Sequence, residues 1–371
     1  FQGVCVSLTN EQVEAALATV IDPELRKPIT ELGMVDSIEV SEKVLGARVL
    51  LTIVGCPAAA AIERDVRAAL ESVAGSRTVE LEMSVMNATQ REDLISRLRS
   101  GKTSTNPFTA ESLTRVIAIT SGKGGVGKST VTANLAAATA QRGFRVGIID
   151  ADVFGFSIPG LLGLEGSTPT RIDDLMLPPV AYDLKVLSIG MFLEKDQAVA
   201  WRGPLLHRTL EQFLTEAYFG DLDFLFLDLP PGTGDIAISV GQLLPHAEIV
   251  VVTTPQPSAS DVAWRSGDVA RQTGQTVLGV IENMSATTLP TGEVWDVFGS
   301  GGGEATAHRL DVPLLGAIPL SRELREASDA GTPLVVSTPD SPAARALADI
   351  ARKITTSGTS RKSKPLPLST R

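Results

Sequence analysis

Gly122-Lys123-Gly124-Gly125-Val126-Gly127-Lys128-Ser129 is the stretch that decides the fold. It fits the pattern G-x-x-x-x-G-K-[ST]. Val116-Ile-Ala-Ile-Thr120 precedes it as an apolar, strand-like run, and Ser129 to Arg142 follows as a helix. Glycines at these places let backbone N–H groups turn inward around phosphate oxygens. The helix N-terminus adds its positive dipole end. In such a loop a lysine at position 128 reaches the β- and γ-phosphates, and the Ser129 hydroxyl ligates Mg²⁺. The expected nucleotide contacts are Gly122, Lys123, Gly124, Gly125, Val126, Gly127, Lys128, Ser129 and Thr130. Lys123 is a second lysine, one residue after the first glycine.

Outward from the loop, short apolar runs alternate with longer helical stretches. Val146–Asp150, Leu184–Leu187, Phe224–Asp228, Ile249–Thr253, Val277–Val280 and Leu315–Ile318 read as strands. Runs apolar throughout suit strands covered on both faces, so the region predicts a mostly parallel α/β sheet. Ligands of such sheets sit at the carboxyl ends of the strands. Asp150 and Asp152 follow the second run there, placed to hold a metal-bound water and a nucleophilic water. Asp228 opens Asp228-Leu-Pro-Pro-Gly-Thr-Gly-Asp235 at the tip of another strand, where a Walker B acid faces Mg²⁺. Gly232 and Gly234 in that turn can offer N–H groups to a γ-phosphate and move when it leaves.

Residues 4–98 predict a smaller α+β unit. Thr9-Asn-Glu-Gln12 fits a capping box, followed by Val13, Ala16, Leu17 and Val20 at helical spacing. Val35–Val40, Ala47–Val54 and Val79–Val85 read as strands. Ala58–Val73 and Glu92–Leu98 read as helices. Polar residues 99–111, with Gly101 and Pro107, read as a linker. The α/β region that carries the glycine loop then covers 112–354, and residues 355–371, rich in Ser, Thr, Pro and basic side chains, predict a disordered tail.

Composition narrows the function classes. Of the 371 residues, 43% are hydrophobic and 20% charged, as in ordinary globular proteins. The net charge of −10 opposes broad nucleic-acid binding. No apolar run approaches the roughly 18 residues of a membrane helix. The two cysteines, Cys5 and Cys56, cannot make a disulfide scaffold, which points to a reducing interior. Phe1-Gln2-Gly3 reads as a tag remnant, and nothing after it reads as a secretory signal. The expected location is cytoplasmic, with no membrane or nucleic-acid partner.

The glycine-rich loop, Asp150-x-Asp152 and Asp228-Leu-Pro-Pro-Gly-Thr-Gly-Asp together resemble the deviant Walker A ATPases, the ParA/MinD group. Asp150-Ala-Asp-Val-Phe-Gly155, Trp201-Arg-Gly-Pro204, Thr253-Thr-Pro-Gln256, Glu282-Asn-Met-Ser285 and Phe298-Gly-Ser-Gly-Gly-Gly303 narrow the resemblance to the Mrp/ApbC iron–sulfur cluster carriers. Asp22-Pro-Glu24, Leu32-Gly-Met-Val35 and Gly55-Cys-Pro57 resemble the small domain of iron–sulfur assembly factors and of oxygenase-assembly accessory proteins.

The resemblance implies a slow, nucleotide-switched homodimeric ATPase using ATP and Mg²⁺. It serves apo iron–sulfur client proteins or assembly factors. Lys123 would cross the dimer interface to the partner's phosphates. Asp152 would orient the attacking water, Asp150 and Asp228 would hold the magnesium shell, and Asn283 would hydrogen-bond adenine. Such carriers also hold a [4Fe–4S] cluster through Cys-x-x-Cys soon after the Glu-Asn-Met segment. Here Ser285–Glu293 contains no cysteine, and cluster ligation relies on thiolates. Cys56 is the remaining candidate ligand. It lies in a Gly-x-Pro turn before a helix, where the dipole is expected to lower its pKa. The alternative is a ParA/MinD-like switch acting on a partner protein or surface without a cluster. A small-molecule kinase is a further reading, opposed by Lys123.

Overall fold

The structure is a computed structural model that describes residues 8–99, 106–153, 155–192, 203–289 and 291–357. Cys5, linker residues 100–105, Phe154, Trp201, Arg202 and the tail beyond 357 lie outside the described residues. The strands are β1 Val35–Val40, β2 Val44–Leu51, β3 Thr78–Val85, β4 Arg115–Ser121, β5 Val146–Asp150, β6 Thr170–Ile172, β7 Leu175–Leu177 and β8 Val180–Ala181. They continue as β9 Leu184–Ser188, β10 Phe224–Asp228, β11 Glu248–Thr253, β12 Thr276–Ser285, β13 Thr287–Thr288, β14 Val294–Trp295 and β15 Leu314–Pro319. The helices needed below are α1 Asn10–Leu17, α2 Ala59–Ala74, α3 Ala88–Leu98, α4 Lys128–Gln141, α5 Ile158–Leu161, α6 Gly203–Glu216, α7 Asp235–Leu243 and α8 Pro257–Gln272.

Two compact units emerge. The first gathers the described residues up to 99 together with Pro169–Pro178 and Glu216–Gly220. Its sheet has the order β1-β2-β3, with β1 antiparallel and β3 parallel to β2. Thr9 and Asn87 each close a reciprocal capping box with the glutamine three residues on, which satisfies orphan N–H groups at the starts of α1 and α3. Val13 and Leu17 of α1 and Ile62, Val66 and Leu70 of α2 meet Leu45 and Val49 of β2 in one core. The hairpin β6–β7 joins that core through Ile172, Leu175 and Leu177, each no more than 2% exposed.

The second unit carries an eight-stranded sheet in the order β15-β12-β11-β4-β10-β5-β9-β8. Every pairing is parallel except that of β8 with β9 at the edge. This is the α/β architecture expected from the apolar runs. All residues of β5 and β10 are buried, as strands between two helical layers require. Helix α4 is buried almost all round because Ala133, Ala136, Ala137 and Ala138 let its neighbours approach closely. One of those neighbours is the helix Pro342–Thr356, capped by Ser341.

Some elements differ from the sequence reading. The ladder pairs Val44–Leu51 with Thr78–Val85, so β2 starts and ends three residues before the expected Ala47–Val54. Thr52–Gly55 turns out of the sheet instead, with Gly55 at φ 74° and Val54 84% exposed. Helix α3 begins four residues before the expected Glu92, at the Asn87 cap.

Candidate nucleotide site

Strand β4 delivers the chain at Ser121, and α4 starts at Lys128 with Gly127 as its N-cap. Gly122 lies so close to α8 that a Cβ there would sit 2.4 Å from its backbone at Val262 and Ala263. Gly127 has φ 78°, and a Cβ on it would lie 2.3 Å from Nδ2 of Asn283. That Nδ2 donates to the Val126 carbonyl at 2.9 Å. Asn283 is thus a buried brace under the loop. Gly127→Ala is expected to destabilise the fold by about 1–3 kcal/mol, through the left-handed backbone and the clash with Asn283. A thermal melt beside Gly124→Ala, whose added Cβ meets no atom within 4 Å, checks it.

The tips of β5 and β10 are adjacent, Asp150 opposite Asp228. Lys128 Nζ lies 2.7 Å from Asp228 Oδ1 and 3.8 Å from Asp152 Oδ2. The Ser129 hydroxyl donates to Asp228 Oδ2 at 2.5 Å, and the Thr132 hydroxyl to Asp228 Oδ1 at 2.9 Å. Asp152 Oδ1 accepts from the Gly155 N–H at 3.1 Å. Asp150 accepts from the Asp152 N–H, the Ser188 hydroxyl and the Ile158 N–H. Lys128, Asp150, Asp152 and Asp228 are all buried, and Asp152 and Asp228 share the Lys128 ammonium.

Burial, and then the neighbouring Asp228, push Asp150 up to about 7 from 3.8. The folded protein therefore holds a proton on Asp150 across a range where the unfolded chain has released it. Protons bound in excess by the folded state make stability fall as pH rises from about 4 to about 7. Asp150→Asn is expected to remove that contribution, seen as a flatter pH profile of urea unfolding for the nucleotide-free protein.

The structure brings Lys128, Ser129, Asp150, Asp152 and Asp228 together at one edge of the sheet, with the Gly122–Gly127 loop alongside. Thr130 sits in the first turn of α4, its carbonyl bonded by Asn134 Nδ2. Lys123 is half-buried, and its Nζ donates to the Ser258 hydroxyl at the start of α8, 3.3 Å away. The Gly232 N–H, expected to face a phosphate, donates to the Ser121 carbonyl at 2.7 Å. Offering it to a ligand requires that bond to break.

Cys56 needs a correction. It is 6% exposed, and its pKa is raised, chiefly by burial and further by Glu24 and Asp22. The Ala58 backbone bond pulls the other way without prevailing. The expected dipole-activated thiolate is not what forms, because desolvation outweighs the backbone N–H bond at the helix start. Among the described residues no group of three or more His, Cys, Asp or Glu side chains could hold a metal ion.

Sequence reasoning missed Thr132 and Ser188. Thr132 lies four residues after Lys128, on the same face of α4. Ser188 ends β9 beside the tip of β5, one residue past the end of the apolar run.

A glycine loop between strand and helix, a buried lysine, and acids on neighbouring strand tips define a P-loop NTPase of the ParA/MinD type. Residues 112–355 match the family model described as NUBPL iron-transfer P-loop NTPase, and the chain belongs to that family. Residues 10–81 match the model for iron-sulfur cluster assembly proteins. A Mycobacterium tuberculosis protein named iron-sulfur cluster carrier protein is 51% identical over 356 residues, covering 94% of this chain and 93% of its own. A Synechocystis protein of the same name is 39% identical over 353 residues, covering 94% and 97%. A solved nucleotide-binding protein from Archaeoglobus fulgidus, in complex with ADP, has 38% identity and a TM-score of 0.54, covering 62% of this chain and 92% of that one.

Proposed function

We propose that this chain is an ATP-hydrolysing iron–sulfur cluster carrier that works as a nucleotide-switched homodimer and delivers its cargo to apo client proteins. One observation carries the reading: a formed P-loop site and an iron–sulfur assembly module occupy one chain, and carriers of the same name match over most of its length.

The donor set at the loop fits a magnesium nucleotide. Ser129 and Asp228 converge as hard oxygen ligands, and Asp150 lies beside them for the outer shell. When bound, Mg²⁺ neutralises charge on the β- and γ-phosphates. Lys128 exchanges its carboxylate partner for phosphate oxygens. Asp152 holds and orients the attacking water, and Lys123 of the partner subunit neutralises charge on the transferred group. Asn283 keeps the loop in shape through its bond to the Val126 carbonyl, and the adenine contact expected of it belongs to the same reading. Gly232 releases Ser121 when its N–H turns to the γ-phosphate, which gives the switch two states.

The described residues do not fit a resident cluster, so no step is assigned to one. The cluster is cargo, with Cys56 the thiol within the described assembly module. The cysteine-free Ser285–Glu293 stretch favours a second reading, in which the same switch drives a partner protein without holding a cluster. Anaerobic incubation with ferrous iron and sulfide, on wild type and Cys56→Ala, tests the choice. The carrier reading expects visible charge-transfer absorbance that passes to an apo-ferredoxin and weakens in the variant. No absorbance and no acceptor maturation would reject it in favour of the second reading.

A further inference from the structure

Helix α4 carries two buried threonines, Thr132 and Thr139, whose hydroxyls turn back on the helix, and they are not alike. Thr139 donates to the Leu135 carbonyl at 2.7 Å, the ordinary back-bond of a threonine inside a helix. Thr132 lies 3.0 Å from the equivalent Lys128 carbonyl and 2.9 Å from Asp228 Oδ1 at the tip of β10. A hydroxyl has one proton to donate, so Thr132 stands between two acceptors. Both Thr132 and Asp228 are 0% exposed, and the choice is made inside the protein.

The two oxygens of Asp228 are served differently. Oδ2 accepts from the Ser129 hydroxyl, on the side that would face magnesium. Oδ1 accepts from Lys128 Nζ at 2.7 Å and from Thr132, and among the described residues these are its two donors. While Lys128 stays, the Thr132 bond is the lesser one. The nucleotide reading takes the ammonium away, because Lys128 leaves Asp228 for phosphate oxygens. Oδ1 is then a buried carboxylate oxygen without its cation, and a missing bond to such a group is costly. The terminal torsion of an aspartate is also broad, so the carboxylate could turn away from Ser129.

We propose that Thr132 is the positioning residue that takes over Asp228 when Lys128 leaves it, a role that rests on the nucleotide reading above and deepens it. Its hydroxyl commits the proton to Oδ1. The Lys128 carbonyl keeps a donor, since in a helix the N–H four residues on serves it. Oδ1 stays hydrogen-bonded, the carboxylate plane is held, and Oδ2 remains aligned with the Ser129 hydroxyl as a magnesium ligand. Thr132 acts through Asp228 alone. Serine carries the same donor and can replace it, whereas valine has the outline without the proton.

The test compares the full wild-type chain with Thr132→Val and Thr132→Ser. Each protein is held with an excess of the non-hydrolysable ATP analogue adenylyl imidodiphosphate and titrated with Mg²⁺ in a calorimeter. Nucleotide-free samples are melted alongside. Thr132→Val is expected to need at least about tenfold more Mg²⁺ for half-saturation, through the loss of one hydrogen bond to a charged group. Its nucleotide-free melt is expected within about 4 °C of wild type, since Lys128 still holds Oδ1. Thr132→Ser is expected to return the Mg²⁺ requirement to within about threefold of wild type. An unchanged requirement in Thr132→Val, whatever its melting temperature, would overturn the proposal and leave the nucleotide reading standing. So would a raised requirement that serine does not correct. If Thr132→Val does not fold, Thr132→Ala is read in its place. Failure of both to fold would overturn the proposal too, by making the hydroxyl essential to the nucleotide-free protein. Wild-type protein that binds no analogue would overturn both readings.

Discussion

Lys123→Ala is expected to slow ATP hydrolysis by about a thousandfold while changing nucleotide affinity by less than about threefold, the signature of a cation supplied at the transition state. Within its own chain, Lys128 is the lysine that reaches the acidic cluster, and Lys123 is bonded to Ser258. On the proposed reading, Lys123 serves catalysis by reaching another copy. Mixing supplies the decisive form of the test. Lys123→Ala keeps an intact acidic cluster, and Asp152→Asn keeps its Lys123. Each is expected to be nearly inactive alone. An equal mixture is expected to recover about a quarter of the wild-type rate, since half of the two-fold dimers are mixed and each holds one complete site. Unchanged turnover in Lys123→Ala, or a mixture as inactive as its parts, would remove the trans role.

Lys128→Ala is expected to weaken nucleotide binding at least about 100-fold, close to 3 kcal/mol. The same substitution leaves Asp152 and Asp228 buried without their shared ammonium. Breaking a buried pair costs about 3–5 kcal/mol, offset in part because Asp150 is already inclined to keep a proton. The variant is therefore expected to melt earlier as well. Lys128→Ala with Asp228→Asn separates the two effects: melting recovers toward wild type because one uncompensated charge is gone, and binding stays lost. If the double variant bound nucleotide, Lys128 would be a structural counter-ion and not a phosphate ligand.

The legible part of the chain is the part where one local signal and one tertiary environment agree. The glycine loop, Lys128, Ser129 and the acids at strand tips follow from runs of apolar residues ending in a carboxylate, because a doubly covered parallel sheet leaves few other places for such residues. The α1 start was legible because a capping box is a local device. The β8–β9 turn was not: Tyr182 and Asp183 both adopt positive φ in a tight hairpin that sequences usually mark with glycine or asparagine. The hairpin β6–β7 was missed for another reason. Its apolar residues are too few for a periodic pattern, and the core they fill is built from residues distant in sequence. Cys56 misled because the local turn suggested an activated thiol, whereas burial, with smaller contributions from Glu24 and Asp22, raises its pKa. Asn283 was expected at the base; the bond it makes in the structure is to the Val126 carbonyl, a contact between segments that no spacing reveals.

Equilibrium dialysis against labelled ATP with Mg²⁺ tests the central claim most directly. One ATP retained per wild-type chain, and none per Lys128→Ala chain that still folds with Asp228→Asn, is the predicted result. Equal retention by both proteins, or retention by neither, would contradict it.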